Sequence, residues 1–344
     1  MKFHMERTNE PVLFADVSLS GLTLDIAYQN KLFALPTVER LVQKMALRLP
    51  DGVPVRVDIE LDEFAVNKPI FRGARATFVA PGRYKVEIGV GLITQLSVIS
   101  RCIAFDKSHL RGRTKAKLLR QDVRRSGRAN VLADCAFHYM LTFVLWHEVA
   151  HIALGHLDWL KARTGMGIID EFGTRPMPDT KYTHSQTLEA DADRQASIWT
   201  AAVIEAVTQN NHLLYYPALP DLFYDIGYIY GALFGFLDSV DSRQPDTERY
   251  HPTADIRLGI VLAFVNDYLL RAHKDAAPKL RQEVIAGGMN ALQCTFYQEK
   301  RPYDIFRAPE FMAGNGRRLD ELGVRRLQHR VETSDNSSFF VLGT

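Results

Sequence analysis

His147-Glu148-Val149-Ala150-His151 sets two imidazoles four residues apart with a carboxylate between them, inside a long apolar stretch. On a helix residues four apart share a face, so both rings can aim at one metal ion while Glu148 sits within reach of a water beside it. Two histidines leave a tetrahedral zinc ion short of a protein ligand, and catalytic zinc keeps a fourth position open for water or substrate. The acidic cluster Glu189-Ala190-Asp191-Ala192-Asp193, which begins thirty-eight positions after His151, offers that ligand. Glu189 is its best-placed member. Asp193 lies four residues on and shares the helical face, so it can hydrogen-bond the outer ring nitrogen of a liganding histidine; Asp191 points elsewhere. Without the histidine motif, the cluster would read as a solvated acidic turn paired with Arg194.

His156 is a rival third ligand, but at about 100° per residue an unbroken helix turns it away from the metal. A glycine-turn motif with a third histidine also fails, because positions 154 and 157 are Leu154 and Leu157. Downstream, Tyr250-His251-Pro252 precedes a helical pattern, and Pro252 suits the first turn. His251 or Tyr250 could donate a hydrogen bond to the oxyanion formed when a carbonyl is attacked. On the residues alone, His251 reads first as a capping or surface histidine. Arg257, between one and two turns on, could pair with an acidic residue near the metal.

These groups need rigid elements to hold them. Apolar spacing predicts an amphipathic helix over Thr37–Leu49, stopped by Pro50-Asp51-Gly52. Three β-like runs follow at Val53–Leu61, Arg75–Val79 and Tyr84–Val90, the last two joined at Pro81-Gly82, and read as a small meandering sheet. Helical spacing returns over Leu92–Ala104 and runs without proline from Ala129 to Arg163, with the histidine motif in the second half. Thr164–Thr187 is rich in Gly, Pro and polar residues and reads as a long loop that could wall the cleft. Leu188–Val207, Asp221–Leu237 and Pro252–Leu270 read as helices, and the tail beyond Asp335 as frayed.

The 344 residues, 47% hydrophobic and 24% charged, suit an ordinary globular chain with a substantial core, and the net charge of +2 announces neither nucleic acid nor an anionic membrane. Basic residues do gather locally over 107–128, from Lys107 to Arg128, against the single acid Asp122. That segment reads first as a solvated connector. Nucleic-acid contact is a lesser alternative, because aromatic residues for base stacking are missing, and an acidic protein partner is another. The three cysteines, Cys102, Cys135 and Cys294, are sparse and odd in number, which argues for reduced thiols in the cytoplasm. Met1–Pro11 carries no apolar run of a secretory signal, and the apolar stretches are interrupted by charge or too short to span a bilayer, so no membrane insertion is expected.

The order His147-Glu148-x-x-His151, Glu189-x-x-Ala192-Asp193 and His251-Pro252 followed by Arg257 resembles the gluzincin metallopeptidases of the HtpX and CAAX-prenyl-protease type. The resemblance covers roughly residues 37–270. It implies a zincin-like core, Glu189 as third zinc ligand, Glu148 as base and His251 as a transition-state contact. The chain departs from that family in lacking convincing transmembrane helices, in its basic insert and in the long loop before Glu189. The stretch Tyr84–Leu96 followed by the motif helix also looks like the Lit phage-exclusion peptidases, soluble bacterial enzymes that cleave a host translation factor.

The expectation is therefore an α+β, minigluzincin-like core: a helix, a small three-stranded sheet, the histidine-motif helix and the glutamate helix, with further helices after it. The divisions are 1–105 for the first helix and sheet, 106–128 for the basic connector, 129–275 for the helical catalytic part and 276–344 for a C-terminal extension. The expected activity is that of a soluble Zn2+-dependent endopeptidase acting on a protein or peptide in extended form. Its backbone would add to an exposed strand, Arg75–Val79 or Tyr84–Val90. The rival is a regulatory zinc protein that uses the basic segment to bind nucleic acid or an acidic partner. An amidase acting on a small molecule is a third reading.

Overall fold

Alternation of apolar and charged residues builds the sheet on which the rest is laid. In the computed structural model, which describes residues 45–48, 54–62, 73–105, 109–112, 128–170, 182–209, 216, 218–241, 251–295, 303–324 and 330–333, it has four strands. These are β2 (Arg56–Asp62), β3 (Ala74–Ala80), β4 (Arg83–Gly89) and β5 (Ile168–Asp170), in the order β2-β4-β3-β5. Tyr84, Val86 and Ile88 of β4 are buried, whereas Arg83, Lys85 and Glu87 alternate with them on the other face. There Arg75 pairs with Glu87 at 2.7 and 2.9 Å. The sheet thus has one apolar face to cover and one charged face.

Two strand expectations change. The hairpin at Pro81-Gly82 forms, with Gly82 at φ 70°, but β2 pairs in parallel with β4 rather than antiparallel with β3, so the sheet is no meander. A fourth strand, β5, comes out of the stretch read as a long loop and pairs with β3. Consequently neither Arg75–Val79 nor Tyr84–Val90 is an edge; among the described strands, β2 and β5 are. The helix expected over Thr37–Leu49 is corrected at its end. Met45–Arg48 is a strand, β1, that pairs antiparallel with β6 (Arg330–Thr333), so pairing with a distant segment overrides local helical spacing. Residues 37–44, most of the basic segment, 171–181, Tyr250 and the tail beyond Asp335 lie outside the described residues.

Helix α1 (Val90–Phe105) follows β4 directly and packs on α2 (Arg128–Ala153), the histidine-motif helix. Helix α2 is apolar almost all round because it is central: it touches α1, β3, β4 and α4 (Tyr182–Gln209). By length and composition it is the one helix among the described residues able to cross a membrane, but Phe137, Met140, Leu141 and Leu145 are buried within the protein core. It does not run on to Arg163. Gly155 takes φ 72°, and a separate helix, α3 (His156–Thr164), starts there.

Helix α4 packs on α6 (Ala254–Ala272), and α6 on α5 (Leu219–Asp241) and α7 (Ala277–Thr295). The α5–α7 crossing is unusually close. A Cβ placed on Gly227 would lie 1.9 Å from the Val284 carbonyl oxygen, and one on Gly287 equally near that of Tyr224. Glycine is required at both places because the neighbouring atoms are backbone. Helix α8 (Ala308–Leu322) then covers α4 and α6. The described residues are α+β and mostly helical, as expected, with α7 and α8 lying after residue 275.

Candidate metal centre

Three helices meet at the histidine motif. Helix α2 brings His147, Glu148 and His151; α4 brings Glu189, Asp191 and Asp193; the segment leading into α6 brings His251, and its first turns bring Arg257. All are buried, and Glu148 and His151 are wholly inaccessible. The entry to α6 is fixed by Thr253, whose hydroxyl donates to the Asp255 carboxylate, while Asp255 also accepts the backbone N–H of Asp304 at 2.9 Å.

His147 Nε2 lies 3.0 Å from Glu189 Oε2 and 3.1 Å from His151 Nε2, and His151 Nε2 lies 3.6 Å from Glu189 Oε1. Ligand atoms of all three residues fall within 4.8 Å of one another. With zinc–nitrogen bonds of roughly 2.0–2.1 Å, ligand atoms of a tetrahedral site sit roughly 3.3 Å apart, so this spacing fits one shared ion. A buried His-His-Glu group of this kind can bind a metal ion.

Protonation favours the same reading. Burial pushes the His151 imidazole down to about 4, so it is neutral at pH 7, as ligation requires. Burial alone would raise the Glu189 carboxyl, but the imidazoles of His151, His251 and His147 around it hold it well below the ordinary value, so it is ionised. Burial opposes the Asp193 charge too, and Arg257 and His147 more than offset that.

The outer nitrogens of both histidines are held. His147 Nδ1 is 2.9 Å from Asp193 Oδ1, and Asp193 in turn accepts from Arg257 Nε at 2.8 Å and Nη2 at 2.9 Å. This orients the His147 ring with its Nε2 toward Glu189. Helical spacing pointed to Asp193 for this place, and left Arg257 as a partner for an acid near the metal. His251 Nε2 lies 3.4 Å from Glu189 Oε2, at the edge of the centre.

Sequence reasoning missed the partner of His151. The chain reverses at Leu154–Gly155, and His156, turned away on an unbroken helix, comes back so that its Nδ1 lies 2.9 Å from His151 Nδ1. His156 Nε2 lies 3.5 Å from Asp191 Oδ2, and Arg194 Nε donates to Asp191 Oδ1 at 2.9 Å. Asp191 does point away from the metal face, yet it is 2% exposed and not part of a solvated turn. The available signal was Gly155, a helix-stop residue two places beyond the last residue of α2.

Of the basic segment, only residues 109–112 and Arg128 are among the described residues. Arg111 pairs with Glu283 at 2.5 Å and stacks over the Tyr224 ring at 3.8 Å, while the backbone N–H groups of Arg111 and Gly112 donate to Asp225 at 2.7 and 2.9 Å. That end of the segment is tied to α5 and α7.

No curated protein matches the chain, and neither does any solved structure. A family model does: that of Peptidase U49 matches residues 106–270, just under half of the chain, from the basic segment to the end of α6. The matched span holds every residue of the candidate centre, and the chain's similarity to this peptidase family supports a peptidase.

Proposed function

We propose that the protein is a zinc-dependent endopeptidase of gluzincin type. The observation that carries this reading is the buried convergence of His147, His151 and Glu189, with the wholly buried Glu148 next to His147 in the chain, inside a span similar to a peptidase family. His147 and His151 through Nε2, and Glu189 through its carboxylate, would hold the ion; zinc is inferred from the two imidazoles and one carboxylate. When bound, it supplies a Lewis acid that acidifies water and polarises a carbonyl.

The remaining work falls to the chain. Glu148 takes a proton from the attacking water and passes it to the leaving amine. His251, beside Glu189, donates to the oxygen of the attacked carbonyl as charge develops there. Asp193, held by two bonds from Arg257, keeps His147 in the tautomer whose Nε2 is bare. The substrate is an unfolded peptide segment in extended form. With β3 and β4 interior, the strand it adds to is β5, which is last in the order of the described strands and carries Ile168, 46% exposed. The setting is cytosolic, consistent with Cys102 and Cys135 being free thiols.

Equilibrium dialysis against zinc tests the metal half of the proposal. One ion per wild-type chain and a large loss in Glu189→Gln are expected. An equal stoichiometry and affinity in the variant would remove Glu189 from the ligand set.

A further inference from the structure

Two of the three acids in the Glu189–Asp193 run of α4 already have a place at the centre: Glu189 faces the two imidazoles, and Asp193 holds His147. Asp191 lies on the other side of α4, yet a row of side chains joins it to the centre. His151 Nδ1 is 2.9 Å from His156 Nδ1, His156 Nε2 is 3.5 Å from Asp191 Oδ2, and Arg194 Nε donates to Asp191 Oδ1 at 2.9 Å. His151 and His156 are inaccessible and Asp191 almost so, whereas the Arg194 side chain is 34% exposed, so the row runs from a candidate ligand to the protein surface. Its second member is firmly seated. Gly155 turns the chain back, and α3 is fixed by the Tyr84 hydroxyl, 2.8 and 2.9 Å from the Asp158 carboxylate oxygens, and by Trp159 Nε1, which donates to the Leu322 carbonyl at 3.0 Å.

Two Nδ1 atoms 2.9 Å apart can hold one proton between them and only one. Two bare nitrogens would set lone pair against lone pair, and two N–H groups would set proton against proton. The proposed function, on which this rests, has His151 bind the ion through Nε2; its neutral ring then carries the proton on Nδ1. His156 Nδ1 is accordingly the bare acceptor, and the His156 proton is on Nε2, toward Asp191 Oδ2. Their separation is long for a hydrogen bond, but both atoms are buried and neither has another hydrogen-bond partner among the described residues, so each is the other's natural counterpart.

We propose that Asp191, its carboxylate held by Arg194, is a positioning residue for His151 and acts through His156. It keeps the His156 proton on Nε2, so that His156 Nδ1 accepts from His151 and His151 Nε2 is left bare toward His147 and Glu189. Each acid of the run then serves one ligand place. Glu189 supplies a ligand, Asp193 holds His147 directly, and Asp191 holds His151 through one intervening ring.

Two measurements on the full chain test this without catalysis. Nitrogen NMR of the histidine rings in the metal-free protein tells a protonated ring nitrogen from a bare one, and competition with a chromophoric chelator gives the zinc affinity. In the wild type, His156 is expected with its proton on Nε2 and His151 with its proton on Nδ1 before any metal is added. Asp191→Leu should free His151 from that single tautomer and weaken zinc about tenfold or more. Arg194→Gln, a change at a partly exposed side chain, should move both quantities in the same direction by less. A wild-type His156 protonated on Nδ1 overturns the proposal, and so does unchanged zinc affinity in Asp191→Leu. Weakened zinc with an unchanged His151 tautomer overturns it as well, by making Asp191 a merely structural residue. A wild type that shows both tautomers but takes up no zinc would refute the metal reading and leave the positioning of His151 standing.

Discussion

Asp193 and Arg257 form a pair whose removal should separate stability from metal affinity. Asp193 is fully buried and Arg257 is 3% exposed; the two are joined by bonds of 2.8 and 2.9 Å that tie α4 to α6. Changing Arg257 to Leu leaves the Asp193 charge buried with only His147 to answer it, and breaking one partner of a buried pair costs about 3–5 kcal/mol. Asp193→Asn takes from the guanidinium the carboxylate that answers its charge. It also removes the carboxylate that holds His147 Nδ1, and loss of such an outer partner lowers metal affinity about 10–100-fold. The double variant Asp193→Asn/Arg257→Leu removes both charges together, so most of the stability should return. The zinc affinity should not, because the Asp193 carboxylate facing His147 is still missing. Urea unfolding of the metal-free proteins measures the first quantity, and competition with a chromophoric chelator the second. Wild-type zinc affinity in the double variant would refute the orienting role of Asp193. A double variant no more stable than either single one would refute the account of the pair as mutually compensating charges.

Other expectations follow from packing and charge. Gly227→Ala drives a methyl against the Val284 carbonyl and should cost about 3 kcal/mol or more in urea unfolding, whereas Gly314→Ala, with nothing within 4 Å, should be neutral or slightly stabilising. His156→Phe keeps the ring but removes the nitrogen facing His151 Nδ1, and chelator competition should show zinc affinity lowered about tenfold or more. Burial raises the Asp225 carboxyl from 3.8 to about 6, against the opposing effect of its bonds from Gly112, Arg111 and Tyr216. The native protein therefore holds a proton that the unfolded chain has lost, so this contribution is present below about pH 4 and disappears as the pH rises through 6. From pH 4 to 7 the wild type should lose on the order of 2–3 kcal/mol relative to Asp225→Asn, read from urea unfolding at each pH. A constant difference between the two proteins would contradict it.

Much of the centre was legible in the sequence because helical spacing is local. His147 and His151, like Glu189 and Asp193, need only a regular turn to share a face, and both helices are regular over those stretches. His251 and Arg257 were harder, because their place depends on how α6 packs on α4, which no local spacing encodes. His156 was misplaced because one left-handed residue, Gly155, ends α2 and turns the chain back. The sheet shows the same division. The hairpin at Pro81-Gly82 was visible from its turn, but the parallel pairing of β2 with β4 and the addition of β5 join segments separated by long stretches of chain. Likewise β1 is a strand only because Arg330–Thr333 lies beside it.

The central claim is that Glu148 acts as the proton carrier in hydrolysis of a peptide bond, on a metal held by His147, His151 and Glu189. The most direct measurement is N-terminal profiling of a cell lysate incubated with the zinc-loaded wild type and, in parallel, with zinc-loaded Glu148→Gln. The account predicts new protein N-termini in the wild-type sample alone, with equal zinc content in the two proteins. Identical profiles, with zinc retained by both, would contradict it.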